Sequence, residues 1–477
     1  MKYIEGSTRE QVLLFPEVVE EYITEDNPVR FIDVFVGGLD FKDLGFMRAE
    51  PAETGRPGYH PGDLMRLYIY GYLNRIRSSR LLEKEAQRNV EVMWLIRKLR
   101  PDFKTIADFR KGNLEAIKKG CREFTLLCKR LELFGGELVG IDGSKFRAVN
   151  SKSRNFNEKK LQDLVKRIDE KIGDYLNDLD QSDRETGSFP SLSKEDLQDK
   201  IDILKQRKGK YRELLKQMEQ DGANQVSLTD PESRLMGISG QAMNVSYNVQ
   251  IAVDAKHRLI VEQEVVNDGS DQNQLSAMAI RARETLGVEK MEVVADKGYC
   301  DGQEIKKCQD ARIQAYVPRP EVKTLTEDGL YGKEQFIYDT QADCYRCPAG
   351  EALTLGYHVQ QNGQKTGCYT TSVCQSCPLR SRCTSRKKGG RRIKRTENEG
   401  ALEAMSMRMK ARPEKIKLRK TLCEHPFGTL KRWMNAGHFL MKGLSKVRAE
   451  MSLSVLTYNL KRVINILGIP KMMEALA

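Results

Sequence analysis

Three carboxylates in this chain stand where carboxylates can do chemistry. Asp142 closes the apolar run ELVGID, Asp296 closes MEVVAD, and Glu424 lies in the basic, helix-like stretch KLRKTLCEHPFGTLKR. A strand closed by a lone acid presents its oxygens at the strand's carboxyl edge, where open α/β sheets gather their ligands. Three such side chains brought together make a site for hard divalent cations, which prefer oxygen to nitrogen or sulfur. Around the glutamate, Arg419, Lys420, Glu424 and Lys431 are candidates for one helical face, because residues about seven apart lie two turns apart. Pro426 is expected to break or kink that helix just after the acid, which would set Glu424 at a helix start. His425 is a candidate proton-handling group, although a lone histidine near a helix start is more often structural. Two rival acids are explained by turns: Asp254 ends a strand before a hairpin, and Asp230 precedes Pro231 in a loop.

A second chemistry lies in the cysteines. Cys121, Cys128, Cys300, Cys308 and Cys423 are scattered among apolar or helical contexts, whereas the other six of the eleven crowd between 344 and 383. Such crowding favours a metal over disulfides. Cys344 and Cys347 form a CxxC followed by Pro348 and Gly350, the turn chemistry that lets two thiolates point at one ion, and Cys374 and Cys377 form another. The spacing predicts a closed structural zinc site on Cys344, Cys347, Cys374 and Cys377, with the surplus Cys368 and Cys383 each able to replace a member of the second pair, Cys383 being the alternative ligand of choice. The block RKKGGRRIKR, Arg386 to Arg395, follows it and is suited to gripping phosphates.

The elements that must position these residues change character along the chain. Residues 1–135 read as an all-α domain. Leu64, Leu67, Tyr68 and Tyr72 share a face of one helix, Pro61 and Asp63 suit its start, and Ser78 or Ser79 can cap a second helix carrying Leu81 and Leu82. Two short helices joined by a tight turn resemble a helix-turn-helix, with Arg75, Arg77 and Arg80 placed to meet phosphates. Between 137 and 318 five strands are expected, the second and third joined as a hairpin near Ala255 and Lys256. Three antiparallel strands, then helix, strand, helix, strand, is the order of a ribonuclease H-like mixed sheet. In that order the strands carrying Asp142 and Asp296 are neighbours. Two insertions interrupt this α/β domain, which is assembled from 136–156, 228–319 and 401–477. Residues 157–227 read as an antiparallel helical hairpin turning at Gly187 and Pro190, with Lys208 interrupting its seam. Residues 320–400 read as a zinc-ribbon-like unit, and the final segment VRAEMSLSVLTYNLKRVINIL as a helix covering the sheet.

At 477 residues with a net charge of +13 the chain is several modules long and suits an anionic polymer, for which nucleic acid is the first candidate. It has no run of ~18 apolar residues, and MKYIEGSTRE lacks the layout of a signal peptide. The expectation is a soluble, cytoplasmic protein with no membrane partner.

Taken together, GIDGSKF around Asp142, the segments TDPESRLM and YNVQIAVD, VVADKGY around Asp296, the cysteine cluster and RKTLCEHPFGTLK around Glu424 resemble the bacterial insertion-sequence transposases of the DDE type. The resemblance spans nearly the whole chain. It implies that Asp142, Asp296 and Glu424 hold two magnesium ions, with manganese able to substitute, and that Arg419 and Lys431 touch terminal DNA phosphates. It further implies binding to the element's terminal inverted repeats, cleavage at the ends, transfer of strands to target DNA, and a homodimer holding two ends together. The tyrosine that related enzymes carry a turn before the arginine is replaced by Ile416 or Lys417. Two other readings are an inert DNA-binding protein derived from such an enzyme, and a ribonuclease H-like nuclease that cuts without transfer.

Overall fold

The structure, a computed structural model, describes residues 18–476 except 52, 54–56, 185–193, 223, 239–240, 321–328, 362–363 and 387–388. Helices come first: α1 (Pro28–Gly37), α2 (Pro61–Leu73), α3 (Ser79–Arg88), α4 (Val90–Leu95), α5 (Phe103–Gly112) and α6 (Leu114–Arg130). Their starts are set locally. Asn27 accepts a hydrogen bond from the Val29 amide ahead of Pro28, His60 accepts from Gly62 ahead of Pro61, and Asp102 accepts from Thr105. Each side chain satisfies an amide that has no partner inside its helix, and a proline in the first turn sacrifices none. The tight turn between α2 and α3 closes because residue 71 is glycine: a Cβ there would stand 2.5 Å from both the Ile76 carbonyl and the Leu82 side chain. Leu64, Leu67, Tyr68, Tyr72 and Leu82 are buried as their spacing predicts, while Leu81 is exposed.

The central sheet is built from β1 (Leu138–Arg147), β4 (Arg234–Ile238), β5 (Gln241–Asp254), β6 (Ile260–Val266), β7 (Met291–Val294) and β8 (Ile313–Tyr316). It runs β4-β5-β1-β7-β8, with β6 also on β5. β1 is antiparallel to β5 and parallel to β7, with Gly140 opposite Val294, so the strands leading to Asp142 and Asp296 lie side by side. Among the described residues the sheet has six strands where five are expected. β4 comes from the TDPESRLMGI segment and lines the first half of β5, Arg234 opposite Ser246, leaving the second half to β6. Helices α9 (Leu275–Leu286) and α10 (Gly302–Asp310) fill one face through Met278, Ala282, Ile305 and Cys308.

Short β2 (Asn155–Asn157) and β3 (Gln225–Ser227) pair antiparallel at the base of two long helices, α7 (Glu158–Arg184) and α8 (Lys194–Asp221). Leu161 and Met218 are buried at that base, and Lys208 pairs with Asp169 across the hairpin. The expected turn at Gly187 and Pro190 lies outside the described residues. The second insertion is a five-stranded antiparallel meander of β9 (Ile337–Asp339), β10 (Cys344–Arg346), β11 (Ala352–Gln361), β12 (Gln364–Thr370) and β13 (Ile393–Thr396). Phe336, Tyr345, Leu353, Tyr369 and Ile393 give it a core of its own.

The remaining helices are α11 (Glu399–Ala411), α12 (Glu414–Gly428), α13 (Leu444–Leu467) and α14 (Ile469–Glu474). α13 is buried nearly all round, and its sides face different cores. Val447, Met451, Val455 and Tyr458 pack with Phe146, Val249 and Ile260 of the sheet, whereas Leu453, Leu456, Leu460 and Val463 join Phe31, Tyr68 and Phe124 of the N-terminal helices. Among the described residues no helix is long and apolar enough to cross a membrane.

Candidate active site

Asp142 sits mid-strand, since β1 continues past it to Arg147 along β5. Its Oδ1 accepts from the Gly143 amide at 2.9 Å, and the Arg419 guanidinium approaches Oδ2 at 3.5 Å. Burial pushes the Asp142 carboxyl up, Arg419 pulls it down, and Asp296 pushes it up again, leaving it at about 6. Asp296 follows β7 and starts a short 3-10 turn, Lys297–Tyr299, by accepting from the Gly298 amide at 2.7 Å. A buried carboxyl whose charge a second carboxylate disfavours, with one arginine beside it, marks a site short of positive charge.

α12 lies against the ends of these strands. Cys423 and Leu422 fit into the space left by Gly140, where a Cβ would stand 2.8 Å from the Cys423 Sγ. That contact sends Arg419, one turn earlier, toward Asp142. Glu424, next to Cys423, is exposed and borders a cleft with Arg258, Lys420, Thr421 and His425. Lys420 and Thr421 also border the neighbouring cleft, which holds Asp296, Lys297 and Arg419. The expected helix break at Pro426 does not occur. α12 runs through Pro426 to Gly428 and continues as a π turn, Thr429–Trp433, so Glu424 sits well inside a helix rather than at its start. Proline there leaves a helical carbonyl without its usual donor, which the wider π turn that follows can accommodate. Lys431, in the π turn, donates to Ser144 Oγ at 2.6 Å, two residues beyond Asp142 on β1. Burial lowers its ammonium and Lys145 adds to this, Asp142 opposes them, and the result is about 8. His425 packs on Tyr458, its Nδ1 3.3 Å from the phenol oxygen, and burial with Arg462 and Arg258 holds its imidazole below the usual range. Asp254 accepts from the amides of Gly135, Gly136 and Lys256, and Asp230 accepts from Tyr247 and Gly443, so both do structural work.

The three arginines of the α2–α3 turn part company. Arg80 is exposed, 5.2 Å over the Phe103 ring, and Arg75, at φ +66, is exposed with its guanidinium 4.3 Å over Trp433. Arg77 is buried, bonded to the carbonyls of Asn435 (2.6 Å) and His438 (2.9 Å) and paired with buried Glu450 at 3.4 Å. It is a tether between the N-terminal helices and α13, and drops out of the set expected to meet phosphates.

The cysteines also regroup. Cys347, Cys374, Cys377 and Cys383 border one cavity beside Tyr331, Phe336 and Arg391. Cys344 belongs to β10, buried opposite Thr354 and Asp339, and is not in that group. Among the described residues no group of three or more His, Cys, Asp or Glu is arranged as it would be around a metal ion. The donor chemistry nonetheless suits the two metals expected: hard oxygens crowd at Asp142 and Asp296, and soft sulfurs gather around the insertion's cavity.

Sequence reading missed a polar knot beneath the two aspartates, formed by Asp271, Gln250 and Tyr299. Tyr299 was visible in the DKGY signal, but Asp271 lies in a loop with no periodic pattern to mark it.

Residues 346–464 match the family described as Transposase DDE domain, and residues 17–112 match Transposase domain (DUF772). The first match takes in Arg419, Glu424, Lys431 and the clustered cysteines from Cys347 to Cys383, but neither Cys344 nor either aspartate. No curated protein matches. A solved structure, a cryo-EM piggyBac transposase synaptic complex with hairpin DNA, aligns with 94% of this chain and 79% of its own at 9% identity, with a TM-score of 0.32, too slight a likeness to argue from. Two transposase models, one toward either end, thus match this chain, and together they indicate a DDE transposase of an insertion sequence.

Proposed function

We propose that this transposase binds the terminal inverted repeats of its element, cuts at the ends and joins the freed 3′-hydroxyls to target DNA, on a ribonuclease H-like sheet. The observation that carries the reading is the adjacency of β1 and β7, which puts Asp142 and Asp296 within electrostatic reach of each other beside Arg419. Asp142, Asp296 and Glu424 would hold two magnesium ions. When bound, such ions supply activation of the attacking oxygen and stabilisation of the leaving one in a phosphodiester exchange. The chain's own part is to place charge. Arg419 offsets Asp142, Lys431 stands over β1 from Ser144, and Lys420 connects the cleft of Asp296 to that of Glu424. Together these cations mark a path for a phosphate backbone, with Arg75 and Arg80 extending it toward the N-terminal helices. A homodimer follows from the need to hold two ends at once. For the insertion we propose a structural zinc on Cys347, Cys374, Cys377 and Cys383, supported by the cavity they share.

The test uses the element's own ends as DNA duplexes with magnesium. Wild type should nick and join 3′ ends, while Asp142→Asn and Asp296→Asn should bind the same DNA and yield no nicks. Full activity in either variant would remove the active-site assignment, and nicking without joining by wild type would favour the simple nuclease.

A further inference from the structure

Beneath the two aspartates, polar side chains from four segments meet, buried at Asn248, Gln250 and Tyr299 and partly exposed at Lys145 and Asp271. Asp271, in the loop between β6 and α9, accepts on one oxygen from Asn248 Nδ2 at 2.7 Å and Gln250 Nε2 at 2.8 Å, with Lys145 Nζ at 3.5 Å. Asn248 and Gln250 are fully buried neighbours on one face of β5, and Lys145 comes from β1. Gln250 in turn accepts, through its Oε1, a hydrogen bond from the hydroxyl of fully buried Tyr299. A carboxylate can only accept, so Asp271 dictates which end of the Gln250 amide faces it and leaves the carbonyl end for Tyr299. Replace the acceptor, and nothing fixes that choice.

Both catalytic strands rest on this chain of bonds. Tyr299 ends the 3-10 turn that Asp296 begins. Gly143, next to Asp142, lies so close that a Cβ on it would come within 3.0 Å of Gln250 Nε2, Asp271 Oδ1 and Tyr299 Oη at once. The backbone beside one acid and the turn bearing the other are therefore seated on the same three side chains. Lys145, two residues beyond Gly143, ties β1 to the same carboxylate.

We propose that Asp271 is a positioning residue of the active site, which acts through Gln250 and Tyr299 to hold Asp142 and Asp296 in register with each other. The proposal rests on the active-site reading above. Catalytic groups must be held to within fractions of an ångström, and a misplacement of about 1 Å can cost roughly a hundredfold in rate. A hydrogen-bonded seat that spans both strands is a means to that precision, because neither acid can shift without disturbing the support of the other.

The experiment measures nicking of labelled element ends over a magnesium titration, using full-length protein whose melting and DNA affinity are followed in parallel. Asp271→Ala should lose roughly ten- to hundredfold in turnover and need severalfold more magnesium for half-maximal rate, with DNA affinity unchanged within about twofold. Asp271→Asn, which keeps the accepting oxygen, should recover most of the loss. Tyr299→Phe should resemble Asp271→Ala, and the double variant should be no worse than the poorer single, because the two act along one path. Wild-type activity in Asp271→Ala, or losses that multiply in the double variant, would overturn the proposal. So would an Asp271→Asn as inactive as Asp142→Asn, since the charge rather than the position would then matter. If Asp271→Ala does not fold, Asp271→Asn and Tyr299→Phe decide the matter alone. Activity in Asp142→Asn would instead defeat the underlying site reading.

Discussion

The N-terminal helices and the cysteine-bearing insertion are both appended to the central sheet, but by opposite means. The helices share a hydrophobic core with α13, which has Leu453, Leu456, Leu460 and Val463 on their side and Val447, Met451 and Val455 on the sheet's. Arg77 fastens the same seam from inside. The insertion keeps a separate core and is tied to α11 through charge: Lys333 reaches buried Glu399 at 2.8 Å, where Arg319 of the main domain also bonds at 2.6 Å, and Arg395 reaches Glu403 at 2.5 Å. A seam of apolar side chains makes two bodies unfold as one, since burial is lost on both sides together. A seam of ion pairs lets one side change while the other stands. The N-terminal helices thus behave as part of the central platform, and the insertion as an attachment to it.

The strongest challenge to that contrast is Arg77→Met. It removes one of the two guanidiniums that offset the buried Glu450 carboxylate, Arg110 being the other, and takes the donor from the Asn435 and His438 carbonyls; this should cost about 3 kcal/mol, and denaturant unfolding should lose that amount in one transition that includes both the helices and the sheet. Separate transitions for the two would break the comparison. A smaller effect is expected at the other seam. Burial pushes the Glu399 carboxyl up, but Lys333 and Arg319 together overcome it and hold it below the usual range. A depressed carboxylate stabilises above its unfolded value and loses that contribution as pH falls through the folded one. Glu399→Gln should therefore cost about 1–2 kcal/mol at neutral pH, and the difference from wild type should fade below roughly pH 4. Limited proteolysis should then open the insertion first, while cleavage in the N-terminal helices would contradict the contrast. The smallest effect on the whole is expected from the metal. Elemental analysis should find about one zinc per chain, and stripping it should expose the insertion to protease with the main unfolding transition nearly unmoved. No zinc would defeat the ligand assignment.

What could be read in advance, and what could not, divides along the same physical line. The adjacency of β1 and β7 was legible because short apolar runs ending in aspartate, spaced by a helical segment, admit few strand orders. The segment that forms β4 was not, since an edge strand facing half of a long partner needs little apolar content to form. Arg75, Arg77 and Arg80 look alike in sequence. Only Arg77 has a buried acid waiting for it, and Glu450 lies far along the chain. The CxxC spacing of Cys344 and Cys347 suggested a pair, but strand pairing takes Cys344 into the sheet and leaves Cys383 nearer the cavity. Pro426 misled in the other direction: a local rule predicted a break, and packing of Leu422, Cys423 and Phe427 kept the helix whole.

Because α13 completes the core of helices that precede it by roughly 300 residues, those helices cannot finish folding when they leave the ribosome. At about 5–20 residues per second they wait tens of seconds for their last packing partner. The platform that would grip an element's ends therefore comes into being only after Asp142, Asp296 and Glu424 have all been synthesised. A nascent chain long enough to show its N-terminal helices is not yet able to present them as a finished surface.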